Sequence, residues 1–250
     1  MEKINNIKIR VLNNKNNNKF SIHENLIKDQ SYPFFYISAK KNSGKTTILY
    51  NLILNMATKK TNIYIFSKTY ENDNTCVEMI NKLSKYCNIQ CYDNLDYENQ
   101  EGEKYKNILE KLIDDIKIDI AENKDKIKKL KYTYTRHLFI FDDFSELLKD
   151  KILEGVIKRH RHYLISCIIS TQQFTDIPPP VRSQINVLIL FKEISNNRLK
   201  MIYDEKIKNI DYDTFIDLYN KATEQKYNFI FINCDDNKDI RQNFDNKFII

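Results

Sequence analysis

Glycine, proline and tryptophan are scarce in this sequence. Its 250 residues include only 3 glycines, 4 prolines and no tryptophan, while asparagine, isoleucine and lysine are abundant. This composition is typical of a protein from an AT-rich genome. One of the 3 glycines, Gly44, stands directly before Lys45. In a chain with so little glycine, that position is informative.

The sequence also lacks the paired cysteines of a typical zinc site. Its 5 cysteines form no CxxC pair, and two of them stand inside apolar runs. Cys87 and Cys91 could be combined with His160 and His162, but without a CxxC pair this combination is a weak zinc signature. We therefore expect no zinc, and free thiols in a reducing compartment.

Long hydrophobic runs are absent as well. The longest, such as VLILF at 187–191, are far shorter than the roughly 20 residues that cross a bilayer. The first ten residues, MEKINNIKIR, contain no apolar segment of the kind found in signal peptides. These absences predict a soluble intracellular protein.

The charge balance is mildly basic. The net charge is +6 with a pI near 8.8, and most basic residues are lysine. This excess permits a polyanionic partner such as nucleic acid but does not require one. With 42% hydrophobic residues, the chain can bury a full core.

The apolar pattern along the chain predicts an α/β fold. Residues 34–38 are typical of a buried strand, apolar residues recur at helical spacing from Thr46 onward, and NIYIFS follows as a second strand. This order is the βαβ unit of a parallel sheet. HLFIF, LISCIIS and VLILF predict three further strands, and YNFIFINC and KFII follow near the end.

We expect one domain over residues 1–250. An edge strand within 7–12 and a low-complexity loop would occupy residues 1–33, and residues 71–136 would form a helical insertion. A solvated charge pattern is the simpler explanation of the lysines in this insertion, and DNA contact is the alternative.

The sequence FFYISAKKNSGKTT predicts a phosphate-binding loop between the first buried strand and its helix. Such a loop directs backbone N–H groups at phosphates, its lysine reaches the β- and γ-phosphates, and a hydroxyl binds Mg²⁺. Alanine replaces the usual first glycine, which is tolerated if φ there is negative. A GKT sequence that arose by chance is the alternative. The predicted nucleotide-binding residues are Ala39, Lys40, Lys41, Asn42, Ser43, Gly44, Lys45, Thr46 and Thr47.

Two later strands end in polar residues. HLFIF is followed by Asp142 and Asp143, and LISCIIS by Thr171 and Gln172. Ligands bind at the carboxyl ends of strands in open α/β sheets. We predict that Asp142 and Thr46 hold Mg²⁺, that Asp143 accepts a proton from the attacking water, and that Gln172 orients this water. A helix N-cap is the alternative for Asp143.

Together, SAKKNSGKT, LFIFDD and IISTQQFTDIPPPVRSQ resemble the genome-packaging ATPases of large cytoplasmic DNA viruses and their virophages, which belong to the FtsK/HerA superfamily of P-loop motors. The resemblance covers residues 34–191, and IRQNFDNKFII near the end is also similar. The segment from TQQ to PPPVRS is the most specific part. Asp143 is a departure, because many relatives have glutamate there.

The resemblance implies a P-loop NTPase with a RecA-like, mostly parallel sheet and helices on both faces. In that sheet the strand before Gln172 lies between the phosphate-loop strand and the acidic strand. It also implies ATP, Mg²⁺, double-stranded DNA as the translocated substrate, and a homo-oligomeric ring of five or six subunits. Capsid or membrane-vertex proteins would be further partners, in the viral factory of the host cytoplasm and in the virion.

Arginines that could act on a neighbouring subunit's nucleotide are few. Arg182 follows three prolines, which we expect to form a stiff arm that projects from the ligand-binding edge. We therefore include Arg182 among the catalytic residues, with a role inside its own subunit as the alternative. Arg159 and Arg161 come next, although a basic helix end explains them more simply.

Other functions remain as alternatives. A GTPase-type switch would need an Asn-Lys-x-Asp element after a late strand, and NCDDNKD does not match it. A small-molecule kinase would usually carry an arginine-rich lid, whereas this insertion is rich in lysine. A related motor for DNA translocation or extrusion differs only in genomic context.

Overall fold

The computed structural model describes residues 1–4, 7, 9–10, 26, 32–97, 105–123, 137–144, 147–192, 195–207, 209–236 and 239–249. Ten strands in these ranges form one sheet. They are β1 (Glu2–Lys3), β2 (Phe34–Ser38), β3 (Asn62–Phe66), β4 (Asn88–Tyr92), β5 (His137–Asp142), β6 (Ile165–Thr171), β7 (Val187–Phe191), β8 (Phe229–Asn233), β9 (Ile240–Gln242) and β10 (Asn246–Lys247). Their order is β1-β10-β9-β8-β7-β2-β6-β5-β3-β4.

The sheet is mostly parallel, as predicted. The six strands from β7 to β4 run in one direction, and β8, β9, β10 and β1 continue the sheet in antiparallel pairs. The strand that precedes Gln172, β6, lies between β2 and β5, as expected. The central strands are buried along their whole length, which explains their continuous apolar sequences.

Helices cover both faces of this sheet, which confirms the predicted layers. The described α-helices are α1 (Lys45–Met56), α2 (Asn74–Leu83), α3 (Ile108–Glu122), α4 (Lys151–Lys158), α5 (Pro179–Arg182), α6 (Asn196–Lys206) and α7 (Tyr212–Ala222). One core joins α1 and α2 to one face, and a second core joins the others to the opposite face. Alternate strand residues supply the two cores: Phe35 and Ile37 face α1, while Phe34 and Tyr36 face the other side.

Two local predictions differ from the structure. The region 71–136 is not only helical, because β4 lies within it and pairs in parallel with β3 at the edge of the sheet. The N-terminal edge strand is β1, not a strand within 7–12; residues 7, 9 and 10 are not in a strand, and 8, 11 and 12 lie outside the described residues. The single-domain organisation stays a prediction.

The cysteines are free thiols, as expected. Burial raises the pKa of Cys76 to about 12 and that of Cys87 to about 11. Cys87 precedes β4, whereas His160 precedes β6, and β5 and β3 lie between those strands. The sheet therefore separates the residues that could have been combined as zinc ligands. None of the helices in the described part of the chain has the length and apolar character needed to cross a membrane.

Candidate functional site

The loop between β2 and α1 has the backbone geometry of a phosphate-binding loop. Asn42 has a φ of 63°, and Gly44, which caps α1, has a φ of 92°. Only glycine adopts the second value without strain. Ala39 does not have a positive φ, and its buried N–H donates to the carbonyl of Thr171 over 3.3 Å. Alanine is therefore compatible with the first position of the loop.

This loop forms one side of an open cavity of about 950 Å³ at the carboxyl ends of the parallel strands. Seven of the nine predicted nucleotide-binding residues line it: Lys40, Lys41, Asn42, Gly44, Lys45, Thr46 and Thr47. Ala39 is buried and does not line the cavity. Ser43 braces the turn instead, because its N–H and its hydroxyl both donate to the carbonyl of Lys40, over 3.3 and 2.7 Å.

Lys45 joins the loop to the two predicted carboxylates. Its Nζ donates to Asp143 and lies 3.2 Å from Oδ1 of Asp142. Burial lowers the pKa of Lys45, but the two carboxylates outweigh it, and the net pKa is raised above the ordinary value. Lys45 therefore carries its charge throughout the neutral range. Its side chain is only 12% exposed, because the two carboxylates hold it inside the site.

The two carboxylates have different surroundings. Asp142 is buried at the end of β5 and accepts a hydrogen bond from the hydroxyl of Ser170 on β6. Asp143 has a φ of 48°, and its side chain is 39% exposed to the cavity. Helix α4 is capped by Asp150, so Asp143 is not its N-cap. The geometry separates a fixed carboxylate from one that is open to solvent.

Thr46 and Asp142 fit the donor set of a magnesium site. Both line the cavity, and a hydroxyl and a carboxylate are oxygen ligands of the type that Mg²⁺ prefers. No group of three or more His, Cys, Asp or Glu side chains is arranged around a metal position within the described ranges. That suits Mg²⁺, which commonly takes one or two protein ligands and completes its shell with phosphates and water.

Gln172 lies where the sequence predicted. It directly follows β6, is exposed, and lines the same cavity as Lys45 and Asp143. The preceding residue, Thr171, is buried, and its hydroxyl donates to the carbonyl of Gln173. The chain is thus anchored on either side of Gln172, which leaves the amide free to meet a ligand.

The predicted position of Arg182 is wrong. Residues 179–182 form the short helix α5, and Arg182 is 9% exposed instead of standing on a projecting arm. Its guanidinium makes two hydrogen bonds to Glu205, of 3.0 and 2.8 Å, and one of 3.0 Å to the carbonyl of Ile177. It also lies over the ring of Phe174. The arginine is held inside its own subunit and does not line the cavity.

Arg159 and Arg161 also lie away from the cavity, and a role for either at the nucleotide of a neighbouring subunit stays a prediction. Both are exposed in the turn before β6, at the amino edge of the parallel strands and so opposite the cavity. The guanidinium of Arg159 donates to the carbonyl of Gly155 and lies over Tyr163. Neither arginine can reach the cavity of its own subunit.

Comparison with known protein families agrees with this geometry. The family model described as Poxvirus A32 protein matches residues 18–246. The chain belongs to this family. A relative from Invertebrate iridescent virus 6, the uncharacterized protein 075L, is 33% identical over 69 residues. That match spans 26% of this A32-family chain and 27% of the iridescent virus protein.

Solved structures share the fold at low identity. The genome packaging NTPase B204 of Sulfolobus turreted icosahedral virus 2, in complex with AMP, has a TM-score of 0.56 at 17% identity and covers 88% of this chain and 98% of its own. The pCW3 conjugation coupling protein TcpA has a TM-score of 0.55 at 14% identity, over 94% and 71%. These similarities establish a P-loop NTPase fold for the A32-family chain.

Two parts of the cavity were missed from the sequence. The loop after β3 lines it with Thr69, Asn72 and Asp73, and the first turn of α2 lines it with Asn74 and Thr75. This polar run follows a parallel strand, so the rule used for Asp142 would have found it. Tyr227 also lines the cavity. Tyr227 precedes β8, which runs antiparallel to β7. Nothing in the sequence indicated that β8 runs antiparallel, so the position of Tyr227 at this edge could not be predicted.

Proposed function

We propose that this chain is an ATP-hydrolysing subunit of a motor that packages double-stranded viral DNA into a capsid. The observation that carries the proposal is the meeting of Lys45, Asp142, Asp143 and Gln172 in one cavity, at the ends of three adjacent strands. A cation, a metal-binding carboxylate, a second carboxylate and an amide are the groups that hydrolysis of a nucleoside triphosphate needs. Family membership and the fold support packaging as the use of that energy.

The residues divide the reaction among them. Lys45 transfers its hydrogen bonds from the carboxylates to the phosphates when ATP enters. This frees Asp143 to accept a proton from the attacking water, which Gln172 orients. Thr46 and Asp142 would hold Mg²⁺, whose chemistry is to neutralise the charge on the phosphate oxygens. The backbone N–H groups of the loop add fixed dipoles on the same oxygens.

DNA, oligomerisation and location complete the proposal. The motor acts on duplex DNA through its phosphates and works as a ring of five or six copies. It assembles with capsid or membrane-vertex proteins in the host cytoplasm and enters the virion with them. A motor must grip any sequence that passes, so its DNA affinity should be independent of sequence and should fall steeply with salt.

The test is ATP hydrolysis measured with and without duplex DNA. We expect activity that requires Mg²⁺ and rises when DNA of any sequence is added. Competition between unrelated duplexes should give similar affinities. A protein that hydrolyses ATP at one rate regardless of DNA would contradict the motor, and a strong preference for one sequence would indicate a regulator.

A further inference from the structure

Tyr227 is the single aromatic side chain among the described residues that line the cavity. It lies in the turn between α7 and β8. Because β8 is antiparallel to β7 and its first residue, Phe229, pairs with Phe191 at the end of β7, this turn reaches the carboxyl edge of the parallel strands. Tyr227 therefore stands at the same edge as the phosphate loop, although the two are far apart in sequence.

The backbone and the exposure of Tyr227 are both unusual. Its φ is 71°, in the left-handed region that bulky residues rarely adopt. Its side chain is 55% exposed and is not part of either core. Residues held in such sparsely populated backbone conformations cluster at active sites and ligand-binding positions. The fold thus holds an aromatic ring at the surface of the cavity at a cost in conformational energy.

The ring lies beside the phosphate loop itself. A methyl group placed on Gly44 would come within 3.3 Å of Cδ1 of Tyr227. The Nζ of Lys226 lies 4.8 Å from the ring centroid, over one face. One edge of the ring therefore meets the loop and one face meets the ammonium, which directs a flat ligand to the other face.

The strand order gives a nucleotide its direction in this cavity. Gln172, Asp142 and Asp143 follow β6 and β5, which lie on one side of β2. Tyr227 precedes β8, which lies beyond β7 on the other side of β2. With the γ-phosphate held between Lys45 and the carboxylates, the base must lie away from β5. The ring of Tyr227 lies on the β8 side of the cavity, which is the side where the base is expected.

We propose that Tyr227 stacks on the base of the bound nucleotide and so sets its affinity. This proposal rests on the ATP site described above and adds the element that recognises the base. The rest of the cavity lining is polar and suits the phosphates and ribose. A base has a π-face that an aromatic side chain can cover regardless of base identity. Tyr227 therefore acts on binding and not on the chemical step.

The first experiment separates KM from kcat. Tyr227→Gly relieves the backbone strain while it removes the ring, and it should raise the KM for ATP about 10-fold with kcat little changed. Tyr227→Phe keeps the ring and should behave as the wild type. Tripolyphosphate has no base, so its inhibition constant should be the same for the wild type and for Tyr227→Gly.

The second experiment uses the absence of tryptophan from the chain. In Tyr227→Trp the new side chain is the sole tryptophan, and ATP should quench its fluorescence while tripolyphosphate should not. Tyr86→Trp is the matched control. Tyr86 lies in the turn between α2 and β4, at the opposite edge of the sheet, and its substitute should respond to neither ligand.

The outcomes separate this proposal from the one on which it rests. A wild-type protein that binds neither ATP nor tripolyphosphate would refute the nucleotide site as a whole. ATP hydrolysis by Tyr227→Gly with an unchanged KM would overturn the stacking role and leave the site intact. Equal weakening of ATP and tripolyphosphate would also overturn it, because the ring would then support the loop and not the base.

Discussion

Two ionic clusters in this chain each pair one basic side chain with carboxylates from a distant segment, but they differ in structure. The Lys45 cluster consists of Lys45, Asp142 and Asp143, and the Arg182 cluster of Arg182 and Glu205. In the first, one ammonium meets two carboxylates, one of them 39% exposed beside a cavity. In the second, one guanidinium meets one carboxylate in two hydrogen bonds.

The difference lies in what each cluster leaves unsatisfied. The Lys45 cluster has one more negative than positive charge, and it opens on the cavity. Asp143 in this cluster also has a positive φ. A cation and a phosphate can therefore bind there. The Arg182 cluster is balanced in charge and is further held by the carbonyl of Ile177 and the ring of Phe174. A satisfied pair stabilises the fold, while an unsatisfied one is available for a ligand.

The largest effect is expected in the Lys45 cluster. Lys45→Ala should lower ATP turnover at least about 100-fold, because one fixed charge at the transferring phosphate is lost. Circular dichroism should show an unchanged fold, and Lys59→Ala, an exposed lysine just after α1, is the control. Undiminished turnover in a folded variant would contradict the phosphate-loop assignment.

The two carboxylates should separate by the step that they affect. Asp143→Asn should still bind ATP with Mg²⁺ but hydrolyse it about 10²–10⁴-fold more slowly, since a general base is removed. Asp142→Asn should instead weaken the dependence of binding on Mg²⁺. Titration of nucleotide binding with and without Mg²⁺ measures both. Equal loss of binding in the two variants would show that the division of roles is wrong.

The Arg182 cluster should affect stability more than turnover. Arg182→Ala should lower the free energy of unfolding by about 1–3 kcal/mol, because charge-assisted hydrogen bonds to Glu205 are lost. Urea denaturation measures this, and activity per folded molecule should be little changed. Arg161→Ala, an exposed arginine, is the control. A stable but inactive Arg182→Ala would return this residue to catalysis.

Mixed subunits test the same point. If Arg182→Ala is active alone, its mixture with inactive Lys45→Ala should have an activity proportional to the fraction of Arg182→Ala subunits. Activity that rises above this share on co-assembly would show that Arg182 acts across a subunit interface.

The smallest effect is expected at an exposed pair on the same helix as Glu205. Lys200 and Asp204 approach to 2.9 Å with side chains that are 50% and 56% exposed. Solvent and salt screen such a pair, so Asp204→Ala, which removes the pair and keeps the contacts of Lys200 with the Tyr203 and Tyr212 rings, should leave the urea midpoint unchanged within error. A shift as large as that of Arg182→Ala would show that burial does not account for the difference in stability between the two ion pairs.

The sequence by itself determined the parts of this protein that depend on neighbouring residues. The order of strand, loop and helix around Gly44 and Lys45 predicted the phosphate loop. A buried strand that ends in Asp142 and another that is followed by Gln172 predicted the edge of the sheet where the reaction takes place. These predictions were possible because a parallel strand and the loop after it have a fixed relation to the edge of the sheet.

Only the tertiary structure decided the contacts between distant segments. Residues 178–180, three prolines, predicted a projecting arm, but α5 packs back on the core and Glu205 of α6 binds Arg182. Tyr227 reaches Gly44 because β8 runs antiparallel beside β7. Neither contact can be predicted from the spacing of residues in the sequence, because each depends on how separate elements pack. Packing is determined by the whole core and not by a local sequence pattern.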